Sequence, residues 1–410
     1  MGEETSVEAG ARGASRGEVL RDAVLGRRVE EIERLVEAGA DPGAPWDDGT
    51  DPVAWAVDHG EPDVLLALIG RSGDDAAKPD SRHRRALRLA LRWLDIDPEV
   101  ELRRRLGVSD AAGVTVSHRT VPGEDYGPTV LHVRVTTADG RHAETRKAHW
   151  AIVSDLESRL GLRTPCEELV ARAMHYAWPD SDDWSESLVL LSMREDTETY
   201  RCAAALVGDE SSAARRRFGA ELLHSMSFDE RPFGAEAVEL LRGRLGVETD
   251  PGTLDSLLGA FSEYAGRVVG DLGADDLGAI LAHAAHPNAD VRQRVCGEIG
   301  FPRPADPPEV LSALVALASD QDGPTRGSAL YVLGVSALDT PELRELFAAR
   351  LTDPCAEAAL EAACALTVRH DDRARPYLTR IRLEAEYEGQ VFWRLDQLDH
   401  DSRVRKYPVD

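Results

Sequence analysis

Two short stretches of this chain set residues side by side that could do chemistry. Pro179-Asp-Ser-Asp-Asp183 packs three carboxylates into five residues, a density that could hold calcium. It lacks the glycine and distal glutamate of a calcium-binding helix–loop–helix, so a capping turn ahead of Trp184 is the expectation. His283-Ala-Ala-His286 brings two imidazoles to one helix end. Zinc needs a third ligand, and none stands nearby, so no metal site is expected. Nucleophilic catalysis has no foothold either. The chain has no Gly-x-Ser-x-Gly, no His-Glu-x-x-His and no Gly-x-x-x-x-Gly-Lys phosphate loop. Paired carboxylates discriminate nothing in a chain with 74 acidic residues. No catalytic residue and no cofactor is expected.

Charge offers two further candidates. Lys78 to Arg105 holds nine Lys/Arg against five Asp/Glu, with Arg85, Arg88 and Arg92 at helical spacing. Such a face could dock an acidic partner or phosphate, or simply be solvated and make intrahelical pairs. Arg215-Arg216-Arg217 forms a second basic island, or covers helix surface with long aliphatic stems. Both sit in a chain whose 48 Lys/Arg and 74 Asp/Glu leave a net charge of −26. That excess opposes broad binding to nucleic acid or to an anionic membrane, since both need a basic footprint.

The elements that must position these residues are helices. The 410 residues are 42% hydrophobic but only 5% aromatic, the profile of close-packed helices rather than of a β-sandwich. No apolar run approaches a membrane span, and the first 17 residues are polar without a secretory core, so a cytoplasmic protein is expected. The five cysteines, Cys166, Cys202, Cys296, Cys355 and Cys364, are far apart and odd in number. They read as small buried hydrophobes, with no disulfide and no zinc-thiolate site.

From about Glu195 onward one pattern recurs. An acidic or proline-bearing turn leads into a helix with small apolar residues every fourth position, often ending on glycine. Its clearest copies are His286–Gly300 and Asp320–Gly334, with Arg326 standing 34 residues after Arg292. Val291, Val295 and Ile299 then match Thr325, Ala329 and Leu333, and Ala356, Leu360 and Cys364 fill the same slots in a weaker copy. Asp250 and Asp209 head two earlier ones, and amphipathic partner helices lie between at Ala235–Leu245, Ala274–Ala284, Pro308–Ala318 and Pro341–Leu351. Asp-Pro-x-x-x-Val-Arg with this spacing resembles HEAT repeats, most nearly the arrays of actinobacterial HEAT-repeat proteins. The resemblance covers Thr197–Arg382, with Leu254 and Glu357 standing where a motif arginine would.

Near the start, Gly39-Ala-Asp-Pro42 and Gly49-Thr-Asp-Pro-Val-Ala-Trp-Ala-Val-Asp-His-Gly60 resemble ankyrin repeats. Asp51 and Ala54 replace the usual threonine and histidine of the helix start, which puts that turn's hydrogen bonds in question. Gly113–Val121 and Thr129–Thr137 alternate with period two ahead of Ala138-Asp-Gly140, a hairpin signal. The expected organisation is a flexible start (1–16), ankyrin-like repeats (17–107), a small β-hairpin insertion (112–147), connecting helices (148–193), a HEAT-like array (194–382) and a cap or tail (383–410).

The expected fold is therefore mostly α, an α-solenoid of ankyrin-like and HEAT-like repeats. The resemblance implies a non-enzymatic scaffold or adaptor binding a partner protein, one carrying a basic patch, on the concave layer of second helices. Arg294, Glu298, Tyr331 and Glu361 point away from the core slots of those helices and are the candidate contacts, beside Arg85, Arg88 and Arg92. The alternatives are a HEAT-like DNA glycosylase acting on alkylated bases, with Trp178, Trp184 and Arg215–Arg217 at its groove, or an acidic DNA mimic or toxin-neutralising protein.

Overall fold

A computed structural model describes residues 16–70, 81–108, 113–121, 128–176, 178–194, 196–227, 233–269, 272–303, 306–384 and 391–398. The chain divides into two compact units, Met1–Cys202 and Ala203–Asp410. Residues 1–15 of the expected flexible start and most of the C-terminal tail lie outside the described residues, as does Lys78 of the basic run, while Arg16 already belongs to the first helix.

The first unit opens with three helix pairs: α1 (Arg16–Leu25) with α2 (Val29–Glu37), α3 (Pro52–Asp58) with α4 (Pro62–Ile69), and α5 (Ser81–Leu91) followed by α6 (Pro98–Leu106). Leu20, Ile32, Val53, Leu65, Leu68 and Ala86 join one core, which Ile152, Val153 and Leu156 of α7 (His149–Arg159) complete. The questioned helix start holds. Asp51 Oδ1 accepts from the Ala54 amide at 2.9 Å, so an aspartate caps α3 without the usual threonine.

β1 (Val114–Val121), β2 (Val130–Thr137) and β3 (His142–Arg146) form an antiparallel meander in the order β1-β2-β3. Its register pairs Val116 with Val135 and Val133 with Thr145. Alternation places Val133 and Val135 on the covered face, packed with Leu102 of α6. The end of β3 also docks on the turn between α3 and α4, where the Arg146 amide donates to the His59 carbonyl at 2.9 Å. Gly60 makes that approach possible. Its φ is +66°, and a Cβ there would collide with the Arg146 carbonyl.

Helices α8 (Cys166–Ala173) and α9 (Asp182–Ser192) follow, and α10 (Thr197–Val207) carries the boundary between the units. Here the cysteine expectation fails. Cys166 and Cys202 form a disulfide with their Cα atoms 6.6 Å apart. Their 36-residue separation hid a proximity that only the tertiary fold creates, as α8 packs on α7 and α9. Cys296, Cys355 and Cys364 are free thiols.

The second unit alternates first-layer and second-layer helices: α11 (Ala213–Met226), α12 (Gly234–Leu245), α13 (Pro251–Val269), α14 (Ala274–Leu281), α15 (Ala289–Ile299), α16 (Pro308–Leu317), α17 (Gly323–Val335), α18 (Pro341–Arg350) and α19 (Ala356–Val368). The odd-numbered helices pack each on the next in one layer, and α12, α14 and α16 form the other. α20 (Arg375–Glu384) and a helix over 391–398, here α21, end the described chain. Capping residues start the second-layer helices: Ser212, Asp250, Asn288 and Asp322 each accept from an amide two or three residues on.

Arginines bind successive repeats together. Arg292 donates a fork to Asp320 at 2.7 Å and reaches the carbonyls of His286 and Pro287. Arg326 repeats this one unit later, bonding Asp353 at 2.9 and 2.5 Å and the carbonyls of Asp320 and Gln321. Arg216 does the same to Glu248 at 2.7 and 2.8 Å. Each guanidinium is almost fully buried, which only such saturation with acceptors permits. The expected basic island at Arg215–Arg217 is thereby removed: Arg215 pairs with Asp209, Arg216 with Glu248 and Arg217 with Glu221.

Candidate functional site

In the second-layer helices, the residues opposite the core slots converge on one groove of about 630 Å³. Asp255 of α13, Asp290, Gln293, Arg294 and Glu298 of α15, Ser328 and Tyr331 of α17, and Glu357 and Glu361 of α19 line it, with Phe301 at its rim. All four second-layer candidates, Arg294, Glu298, Tyr331 and Glu361, are therefore brought together. The geometry follows from helical spacing: Arg294 and Glu298, like Glu357 and Glu361, stand four residues apart and share a face.

Five carboxylates meet one arginine among these lining residues, so the groove carries negative charge. Arg294 is committed, donating to Asp255 at 2.9 and 2.8 Å and to Glu298 at 3.3 Å. Glu298 also accepts from the Ser262 hydroxyl. Asp290 and Glu357 make no ion pair among the described residues. Burial and the neighbouring charge of Glu361 raise the pKa of Glu357, the signature of an acid short of a cation. Phe301, half exposed, meets the Tyr331 ring edge-on at 6.2 Å between centroids. The arrangement offers acceptors and aromatic surface. The Ser328 hydroxyl accepts from the Gln293 amide at 3.1 Å and bonds no base among the lining residues. The Cys296 thiol of α15, outside the lining, is pushed up to about 12 by burial.

Residues 274–367 match the family model of HEAT repeats. That segment carries HEAT repeats. It runs from the first residue of α14 to the end of α19, three helix pairs that supply every groove residue except Asp255. No curated protein sequence matches the chain. Among solved structures, the X-ray structure of YibA from Escherichia coli is similar at 16% identity and a TM-score of 0.44, over 57% of this chain and 92% of its own.

Within the HEAT segment, Asp290, Gln293, Phe301, Ser328 and Glu357 joined the site without being expected. Glu357 is the structural counterpart of Asp290, each two residues after its helix cap. The expected alignment puts it in the motif-arginine slot, but the helix caps Asp322 and Cys355 stand 33 residues apart, as do the acceptors Asp320 and Asp353. Buried Ala359 therefore takes the place of Arg326, and the 31-residue match of Ala356, Leu360 and Cys364 is two residues out of register. The imidazoles of His283 and His286 gather no metal-binding group, and none exists among the described residues.

The first-unit candidates fare differently. Arg85 is engaged by Asp51, with one of its two bonds at 2.9 Å, so it bridges α5 to the α3 cap rather than pairing within its helix. Arg88 and Arg92 are exposed and make no ion pair among the described residues. Arg104 and Arg105 bond Glu101, and Arg105 also bonds Asp58, which neutralises the C-terminal part of the basic run.

The acidic knot at Pro179–Asp183 caps α9 through Ser181 and does more. Asp182 forms a buried fork with Arg146, and Asp183 Oδ1 accepts from the Ala151 amide at 2.8 Å. Burial pushes the Asp183 carboxyl up to about 8 and that of Glu186 up to about 7. Trp184 is fully buried. Together with the pairing of Arg215–Arg217, this leaves the glycosylase reading without its backbone-binding cations and without one of its two stacking rings.

Proposed function

We propose that the chain is a non-enzymatic interaction protein whose HEAT groove receives a basic segment of a partner protein. The observation that carries this is the convergence of five carboxylates and two aromatic rings on one second-layer groove. HEAT repeats commonly mediate protein–protein interaction, and aromatic rings beside acidic groups are the chemistry that recognises Lys- and Arg-bearing surfaces. We read the helix pairs of the first unit as degenerate ankyrin-like repeats, and those of the second unit as an α-solenoid of HEAT-like repeats. Arg88 and Arg92 are a separate surface for an acidic group. We infer a cytoplasmic setting, against which the Cys166–Cys202 bond stands as the one contrary feature.

Fluorescence anisotropy with a labelled basic helical peptide, an acidic control and duplex DNA tests the reading. The basic peptide should bind, with affinity falling as salt rises, and Glu357→Gln should weaken it about threefold. Equal binding of both peptides, or tight DNA binding with a steep salt slope, would overturn it.

A further inference from the structure

One end of the groove is already occupied by the chain itself. α21 is anchored by Leu395 and Leu398, both buried, and projects Arg394 onto the second layer. Arg394 Nε and Nη2 each donate at 2.7 Å to the two oxygens of Glu361. The same guanidinium lies 5.2 Å from the centroid of the Tyr331 ring. Glu361 is 7% exposed, so its charge depends on this one fork for compensation. A planar guanidinium satisfies a carboxylate fork and an aromatic face at once, whereas an ammonium, a compact point charge, cannot do both. Glu357, one turn earlier on α19, and the exposed Phe301 beside Tyr331 continue the same acidic and aromatic lining past Arg394.

We propose that Glu361 and Tyr331 form an arginine-specific subsite of the groove, that Arg394 is its intramolecular occupant, and that a partner binds by setting an arginine of its own basic helix in place of Arg394. The inference rests on the groove being a receptor for basic segments, and it adds the identity of the anchoring side chain and a built-in competitor. Affinity for the partner is lowered by the fraction of molecules in which Arg394 fills the subsite. Removing that side chain strengthens partner binding, although it deletes a contact of the folded chain.

The test uses the full chain and two labelled helical peptides, one bearing arginines along a face and the other lysines at the same positions. Arg394→Ala should bind the arginine peptide about tenfold tighter than wild type, with little gain for the lysine peptide. Adding Tyr331→Ala should erase that preference. Arg394→Lys, which keeps the charge that supports α21 but loses the fork, should bind the arginine peptide about threefold tighter than wild type. Circular dichroism reports whether α21 persists, and if Arg394→Ala loses helix, Arg394→Lys decides. Equal affinity of wild type and variant for the arginine peptide, or an equal gain for both peptides, overturns the subsite and leaves the groove standing. No binding of either peptide to any form overturns both.

Discussion

Burial changes the chemistry of single residues most at Asp183. Its Oδ1 accepts from Ala151 while its Oδ2 has no partner, and burial holds the carboxyl up to about 8. An unfolded aspartate titrates near ~3.9, so the native state keeps a proton that the unfolded chain gives up. The stability from this group is full below about pH 4 and is lost as pH rises through 8. Glu186, held up to about 7, acts in the same direction. Asp183→Asn keeps the acceptor and removes the charge, so it should flatten this decline. Urea midpoints between about pH 7 and pH 8.5 should fall less in the variant than in wild type, and parallel falls would contradict the assignment. The sequence shows Asp182 and Asp183 only as parts of a turn. Their partners Arg146 and Ala151 lie more than thirty residues away, where no local spacing points.

Elements in this chain follow two kinds of rule, and only one is local. The second-layer helices were readable because cap, motif arginine and closing glycine all lie within one turn-plus-helix stretch, as from Asn288 to Gly300. The strands were readable as far as their alternation and the Gly140 turn, whose φ is +86°. What was not readable depends on which elements meet. The expectation of no disulfide failed because the tertiary fold brings Cys202 to Cys166, and the basic island dissolved because Glu248 returns to Arg216 from 32 residues on. The disulfide closes a 36-residue separation, so removing it should cost about 4 kcal/mol on the loop-entropy account. Cys166→Ser should lower the urea midpoint accordingly. Acid trapping directly from cells, followed by thiol counting on the unfolded chain, should then find the three free cysteines reactive. All five reacting would contradict the disulfide in the cell and support the cytoplasmic setting, whereas three reacting would place the chain in an oxidising compartment.

Across the whole molecule, a net charge of −26 acts at longer range than any single contact. A charge of that sign favours encounter with basic surfaces over polyanions, and added salt weakens the effect. On the proposed reading the HEAT segment is where that charge becomes specific, since its groove combines acceptors with Phe301 and Tyr331. No helix among the described residues is long and apolar enough to cross a membrane. The most direct measurement is hydrogen–deuterium exchange on the full chain with and without a saturating basic helical peptide. Slowed exchange should map to α13, α15, α17 and α19, leaving α14, α16 and α18 unchanged. Protection confined to the first-layer helices or to the first unit would contradict the assignment of the groove.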